Sequence, residues 1–573
     1  MKIITARKAG FCMGVRRALE MVLDRARRED GKEIRTYGPL IHNPQVVRLL
    51  SSKRISSTRD MRLFRPGDVC VISAHGISPR VRDALKSTGA GVCDASCPDV
   101  LKVQGIIRKH ARQGYATIIF GDEGHTEVEG LLGFTEGRGF VINRPDGVEK
   151  LPDLGLVCLV SQTTQNRDEY RQIAAAVKAR FREALVFETI CASTLDRQKE
   201  VVDIAAKVDA LIVVGGGNSA NTARLTRIAG GRIPVFQVET ADELDPVALS
   251  RFQTVGVTAG ASTPNWLIQE VVERLRSCSW ERQRTKLGRL CRLLSVIVKA
   301  NVLIALGGAC LTCAAARLLK IPVQWPAVLL SFCLVLAVYN LNIFADQSAI
   351  HLSQPSRYRF FLRYRKELYL LNTLSLLAAF WCAGILGAGA FLLTVFTLLS
   401  GLAYSFTLLP STLPGRSLKH LTGLKEFFSS LGWGVLAVLI PAFSARVPAV
   451  PVISVLVVFI FVFSVMFVRS SLFAIRDIQG DRLVGRETIP VVLGVRKTKI
   501  MLLGLITLVA LLLILGAARG WVDSSGYWYL GVIAYGCFYL VLYHRRIIFR
   551  GLAHEMLVDS QLLLAGLIAF LAR

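Results

Sequence analysis

Beyond about residue 297 the chain becomes a succession of nine apolar stretches, centred near residues 307, 334, 378, 399, 436, 459, 509, 535 and 565. A helix needs about 20 apolar residues to cross a hydrocarbon layer, and each stretch reaches or nears that length. Lipid offers no water to satisfy backbone polar groups, so the stretches are expected to be helices of a membrane bundle. Before residue 280 the pattern is different, with short β-branched runs alternating with charged helical stretches. Two folding units are expected: an α/β unit over 1–280 and an all-α membrane unit of about nine helices over 297–573, joined by a basic juxtamembrane linker at 281–296.

The formal charge of +27 could point to nucleic acid, but no recognition motif or basic helix with aromatic platforms accompanies it. Much of the excess lies between apolar spans. Arg357, Arg359, Arg363, Arg365 and Lys366, then Arg416 and Lys419, then Arg476, Arg482, Arg486, Arg496 and Lys497, and last Arg545, Arg546 and Arg550 fall in alternate loops. The opposite loops hold little beyond Arg317, Lys320, Arg446 and Arg519. Cationic loops stay on the cytoplasmic side. Only Lys2–Ala6 precedes Arg7, too short an apolar core for a secretory signal. The expected location is a bacterial cytoplasmic membrane, with residues 1–280 in the cytoplasm.

The β-branched runs Val69–Ser73, Ala116–Gly121, Leu156–Ser161, Ala210–Gly215 and Thr254–Thr258 alternate with helical patterns such as Val81–Lys86 and Glu169–Arg182. Parallel sheets covered by helices are expected, with ligands at the carboxyl ends of the strands. Seven of the 13 cysteines precede residue 280, and in a reducing compartment their scattered spacing argues against disulfides. Cys70, Cys158, Cys310 and Cys313 sit in strand-like or membrane runs and read as packing residues. Cys12, Cys97 and Cys191 differ. Each stands where a run or turn passes into a helical segment, at separations of 85 and 94 positions, so each belongs to a separate unit of similar size. Three thiolates converging on an iron–sulfur cluster would leave one iron without a protein ligand, free to act as a Lewis acid beside a source of electrons. A zinc or redox-sensing site is the alternative.

Polar groups follow the same runs. His75 comes after Val71–Ala74, His125 and Glu127 after Ile118–Gly124, and His42 lies in the turn Tyr37–Asn43. A lone loop histidine is ordinarily a surface or capping residue; three at equivalent strand ends, in a chain with eight, are not so easily dismissed. Ser161–Gln165, Gly215–Thr222 and Ala259–Pro264 each open a helix. Their hydroxyls and amides can serve as N-caps or cradle a phosphate, and together with the histidines they read as a metal-free diphosphate pocket.

On these residues, from Ala9-Gly10-Phe11-Cys12 to Thr258-Ala259-Gly260-Ala261-Ser262, the first half resembles the 4-hydroxy-3-methylbut-2-enyl diphosphate reductases (IspH/LytB family), with the motifs in family order. The resemblance implies three quasi-repeated α/β units around a [4Fe–4S] cluster on Cys12, Cys97 and Cys191. It also implies a substrate pocket of His42, His75, His125 and Thr164, a diphosphate held by Ser219, Asn221 and Ser262, and a proton from Glu127 relayed through Thr163. Products would be isopentenyl and dimethylallyl diphosphate, with electrons from a donor such as ferredoxin or flavodoxin. Ala220 stands where the family often has a second serine, a loss worth about 1 kcal/mol of binding. Asp122 stands where it often has histidine, and Thr126 where it often has proline.

Acidic residues are scarce after residue 297. Asn342 and Asp346 lie four apart, as do Asp477 and Asp481. Like charges at that helical spacing repel, unless Mg²⁺ bridges them to a substrate diphosphate. The run from Arg476 to Gly494 resembles the second aspartate motif of the UbiA-superfamily prenyltransferases, and the resemblance covers roughly 290–573. It implies Mg²⁺ on Asn342, Asp346, Asp477 and Asp481, an isoprenyl diphosphate substrate and prenyl transfer to an acceptor, commonly aromatic. Ile350 occupies the third place of the first motif. Leu408 follows Tyr404 where a lysine is usual, leaving Arg416, Lys419 and Lys425 as candidate diphosphate contacts. A bifunctional isoprenoid enzyme is expected; the alternative is an active reductase tethered to an inactive lipid-binding anchor.

Overall fold

The computed structural model describes residues 1–29, 32–282, 286–345, 347, 350–351, 354–405, 423–445, 450–484, 486–544 and 552–572. The chain divides into two compact units, Met1–Arg282 and Gln283–Arg573.

The first unit holds twelve strands among the described residues: β1 (Lys2–Thr5), β2 (Ile34–Tyr37), β3 (Ile55–Thr58), β4 (Val69–Ile72), β5 (Gly91–Asp94), β6 (Ala116–Phe120), β7 (Gly139–Ile142), β8 (Val157–Ser161), β9 (Leu185–Val186), β10 (Ala210–Val214), β11 (Val235–Val238) and β12 (Thr254–Ala259). They form three four-stranded parallel sheets, ordered β1-β12-β10-β11, β5-β4-β2-β3 and β9-β8-β6-β7. Written in that direction, the sheets correspond strand for strand. β4, β6, β8 and β10 are buried along their whole length, as expected of β-branched runs covered on both faces. Each of the five expected runs contains a strand.

The three repeats are not consecutive blocks of chain. One sheet takes β1 from the start of the chain and its other strands from residues 210–259, so the third repeat encloses the other two in sequence. In every sheet the first edge strand (β1, β5 or β9) leads to a cysteine that precedes a helix: Cys12 before Met13–Arg28, Cys97 before Pro98–Ala111 and Cys191 before Ala192–Ala205.

The second unit is helical. Among its described residues, seven helices are long and apolar enough to cross a membrane. Nine were expected; of the other two stretches, one falls on a pair bent by 69° (Arg289–Lys299 with Val302–Leu318) and one on Ala388–Gly401, an apolar segment shorter than a span, so seven or eight spans are seen among the described residues. The expected linker falls largely on the helix Lys286–Lys299, whose apolar and basic residues alternate with helical period. Asn301, at φ +63°, lies at the bend, and Gly387, at φ +110°, makes the tight turn between Arg365–Leu386 and Ala388–Ser405. Small residues bring helices together. A Cβ at Gly307 would lie 2.6 Å from Leu562, and one at Gly566 2.5 Å from the Cys310 sulfur, the close approach that replaces the hydrophobic drive between helices in lipid. A π-helical turn, Val435–Leu439, interrupts one span; such turns frequently mark functional sites.

Candidate functional site

The cysteine centre is built three times by one device. The backbone N–H of each cysteine donates to a carbonyl just past the neighbouring strand: Cys12 to Ala261 beyond β12 (3.0 Å), Cys97 to Ala74 beyond β4 (2.9 Å) and Cys191 to Thr163 beyond β8 (3.0 Å). Each thiol then stands at a helix N-terminus, where unpaired N–H groups and the helix dipole favour negative charge. Cys12 Sγ accepts from Val15 N at 3.4 Å, and Cys191 Sγ lies 3.1 Å from Thr194 Oγ1. A Cβ at Gly14 would stand 2.5 Å from Cys97 Sγ, so the helix behind Cys12 abuts the second thiol. Burial pushes the Cys97 thiol up to about 11 and raises that of Cys191; a bound metal would have to displace those protons.

Three thiols at helix N-termini are a donor set compatible with a cluster. Two thiolates on one zinc at about 2.3 Å each must nearly touch. Among the described residues, no three His, Cys, Asp or Glu side chains are close enough to share one ion. A cluster gives each thiolate its own iron and spreads them. Its negative charge would face three helix N-termini.

The carbonyls that anchor Cys97 and Cys191 belong to Ala74, which precedes His75, and to Thr163, so the polar residues follow from the same loops. The rings of His42 and His75 are 4.5 Å apart, and His125 is 5.7 and 5.8 Å from them. Burial lowers all three, His75 well below the usual range and His125 to about 4, so the trio is neutral at physiological pH. His125 also caps the helix Thr126–Leu132, its Nδ1 accepting from Glu127 N at 3.1 Å, which leaves the ring proton on Nε2. Capping and clustering thus coexist in one side chain.

Glu127 is 2% exposed. Thr163 donates to its carboxylate twice, from N to Oε1 (2.7 Å) and from Oγ1 to Oε2 (3.0 Å). Burial outweighs these bonds and raises the carboxyl to about 7. Such a group can hold and release a proton near neutral pH.

Among the described residues, two pocket candidates have unused hydrogen-bonding capacity. Both amide atoms of Asn221 and the Nε2 of His42 are buried without a partner, a costly state that a bound polar ligand would relieve. Ser219 caps the helix Ala220–Gly230. Ser262 Oγ donates to His42 O at 3.1 Å, tying β12's loop to β2's. Gly215 makes the turn beneath at φ +154°, where a Cβ would lie 2.6 Å from Thr222 Oγ1. Thr164 Oγ1 accepts from Gln162 Nε2 (3.1 Å) and Arg224 Nη1 (3.3 Å). Arg224 also grips both oxygens of Asp122 at 2.7 and 2.6 Å. The residue where the family often has histidine is therefore half of an ion pair that joins two of the repeats.

Among the residues singled out in the first half, direct contacts link His42, His75 and His125 to one another, His125 to Glu127, Glu127 to Thr163, and Ser262 to His42. The structure adds three that sequence reasoning missed: Arg17, Arg197 and Arg224. Each acts through bonds to distant backbone carbonyls, which leave no trace in local pattern.

In the second unit a cavity of about 370 Å³ is lined by Asn342, Asp477 and Asp481, by Arg357, Arg469 and Arg486, and by apolar groups including Phe396, Phe428, Trp433 and Phe473. Both aspartates already have cationic neighbours. Arg476 holds Asp477 in a fork at 2.7 and 2.8 Å, and Arg486 Nη1 lies 3.8 Å from Asp481. Ile350 lines the same cavity. Asn342 and the two carboxylates match what Mg²⁺ takes from protein when substrate phosphates supply the rest. Asp346, Leu408, Arg416 and Lys419, with the side chains of Tyr404 and Lys425, lie outside the described residues.

A model of the LytB protein family matches residues 3–276, and one of the UbiA prenyltransferase family matches residues 364–552. The chain is 45% identical over 289 residues to 4-hydroxy-3-methylbut-2-enyl diphosphate reductase of Opitutus terrae, covering 48% of this chain and 100% of that one. The protein of the same name from Solidesulfovibrio magneticus is 42% identical over 285 residues, again with 48% and 100% coverage. A solved structure of a UbiA homolog from Aeropyrum pernix K1, in its apo form, aligns at 17% identity and a TM-score of 0.38, over 47% of this chain and 98% of that one. The chain therefore belongs, through its first half, to the LytB family of 4-hydroxy-3-methylbut-2-enyl diphosphate reductases, and residues 364–552 are similar to the UbiA prenyltransferase family.

Proposed function

We propose that the first unit converts 4-hydroxy-3-methylbut-2-enyl diphosphate to isopentenyl and dimethylallyl diphosphate, with a [4Fe–4S] cluster on Cys12, Cys97 and Cys191. The observation that carries this is the threefold placement of a thiol at a helix N-terminus, each anchored to the neighbouring strand's loop. The balance requires two electrons from an external donor of the ferredoxin or flavodoxin kind and two protons; the allylic hydroxyl departs as water. When bound, the cluster supplies one-electron reducing power and a Lewis-acidic iron.

The chain's own residues do the rest. Neutral His42 and His75, with Ser219, Asn221, Ser262 and Thr164, hold the diphosphate through hydrogen bonds. Glu127 keeps a proton on its carboxyl, and Thr163 Oγ1, 3.0 Å from Oε2, passes it to the departing hydroxyl. The Nε2–H of His125 orients the substrate beside them. Anaerobic purification with iron and sulfide assay, followed by turnover of the allylic alcohol, tests the reading. Zinc without sulfide, or a loaded cluster without dehydroxylation, would end it.

For the second unit the reading is Mg²⁺-dependent transfer of a prenyl group to an acceptor, commonly aromatic in the family, with Asn342, Asp346, Asp477 and Asp481 holding the metal. The protein would reside in a bacterial cytoplasmic membrane with the reductase on the cytoplasmic side. Ile350 in the first motif and the arginine fork on Asp477 favour a second reading, an inactive lipid-binding anchor. Prenyl transfer in membranes, with and without Mg²⁺, separates the two: transfer lost in Asp477→Ala with Asp481→Ala supports the enzyme, and no Mg²⁺-dependent transfer by the unmodified chain supports the anchor.

A further inference from the structure

Arg197 lies in the helix Ala192–Ala205, six residues past Cys191, and is 4% exposed. Its guanidinium reaches back across 187 residues to donate to Gly10 O at 2.7 Å, and also to Lys8 O and Ala259 O. Those three carbonyls belong to the segment that presents Cys12 and to β12, beside it. Arg197 thus pins the Cys12 strand end to the Cys191 helix. Among the described residues it forms no ion pair with a carboxylate, and its Nε is buried without a hydrogen-bond partner.

A buried cation that meets only neutral carbonyls is costly unless an anion lies nearby. Burial disfavours its charge, and the groups that counter this are Cys12 and Cys191, followed by the carboxylates of Glu200 and Asp196. Arg17 adds a parallel link, with Nη1 2.8 Å from Ser96 O, next to Cys97; the second thiol is tied to the Cys12 helix as the first is tied to the Cys191 helix. Arg17 is only half-buried, so the charge argument belongs to Arg197 alone.

We infer that Arg197 is a positioning residue that supplies the buried counter-charge to the thiolate-bound cluster and so makes its one-electron reduction easier. This rests on the cluster reading proposed above. Three thiolates on an oxidised [4Fe–4S] core carry one net negative charge, and an electron from the external donor makes it two. A fixed cation on the Cys191 helix, bonded to the segment that presents Cys12, stabilises the reduced form more than the oxidised form. Removing that cation should lower the midpoint potential.

The test uses the full chain, purified anaerobically in detergent, with Arg197→Met and Arg197→Lys. Iron and sulfide content are measured, and the midpoint potential is read by dye-mediated titration with spectroscopic detection of the reduced cluster. Arg197→Met is expected to lower the reduced-to-oxidised ratio at least tenfold at a fixed potential, equivalent to about 59 mV for a one-electron couple. Arg197→Lys should stay within threefold of the unmodified chain. If Arg197→Met loses the cluster while Arg197→Lys keeps it at the original potential, the need for charge is equally supported. A loaded Arg197→Met chain with an unchanged potential would overturn the inference, and so would equal loss of cluster from both variants, which would mark Arg197 as a hydrogen-bonding brace. An unmodified chain lacking iron and sulfide would instead end the underlying reading, a result distinguishable from both.

Discussion

At the scale of single residues, Glu127 is the group on which the pH prediction for the first unit turns. Its carboxyl is raised to about 7 by burial, so the proton-bearing form dominates below that pH and disappears above it. If this form delivers the proton, kcat/KM should be level below pH 7 and fall by about tenfold per unit well above it, measured with an artificial reductant whose potential is held constant. Glu127→Gln can still accept from Thr163 but has no acidic proton; the rate should fall by about 10²–10⁴, the usual worth of a positioned acid, and the limb near pH 7 should vanish. Gly14 yields a second expectation. Its neighbour is not solvent but a sulfur, 2.5 Å from where a Cβ would stand. Gly14→Ala should therefore displace Cys97 and reduce the iron and sulfide recovered per chain, while the circular dichroism of the helices is retained.

Among elements, the most legible were those whose partner is near in sequence or whose pattern is self-sufficient. β4, β6, β8 and β10 are unbroken apolar runs, and the membrane helices are long apolar stretches, so both could be read directly. Short or partly exposed strands such as β9, only Leu185–Val186, lack such a signature. Nothing local tells that β1 pairs with β12, because that pairing depends on the return of the chain some 250 residues later. The cysteines and histidines were legible because their residue types are rare and recur at strand ends. The arginines were not. Arg197 looks like one more charged residue on an amphipathic helix, and only the folded chain shows Gly10 O within its reach.

The second unit hides a similar element-level feature. Arg469, on the helix Val452–Val484, donates from Nε to Asp559 Oδ1 of the helix Leu552–Leu571 at 2.6 Å, and both side chains are buried. Removing one partner strands the other charge, which costs about 3–5 kcal/mol, whereas replacing both with apolar groups is often close to neutral. Asp559→Ala should therefore lower the thermal unfolding midpoint of the detergent-purified chain markedly. Arg469→Met combined with Asp559→Leu should restore most of the loss. Equal destabilisation by the single and double changes would show that the pair is not an energetic unit.

On the scale of the whole molecule, the two chemistries use separate donor sets. Cys12, Cys97, Cys191 and Glu127 belong to Met1–Arg282, and the residues of the membrane cavity to Gln283–Arg573. The reductase relatives align along their full length with the first half alone, so the two proposed chemistries can be tested separately. On the reading proposed above, dimethylallyl diphosphate leaving the first site would carry the diphosphate that the second would recognise, but a transferase that uses longer chains would need an elongating enzyme between them, so the two steps need not be consecutive. Independence can be measured with two variants of the full chain in membranes. Cys97→Ser should abolish dehydroxylation yet leave transfer from an added prenyl diphosphate within about twofold of the unmodified chain, since the residues lining the cavity are unchanged. Asp477→Ala with Asp481→Ala should do the reverse, removing Mg²⁺-dependent transfer while preserving the iron content and dehydroxylation rate. Should Cys97→Ser suppress transfer even when prenyl diphosphate is supplied in excess, the sites would be coupled through the protein and not through their metabolites, and the picture of two self-sufficient units would fail.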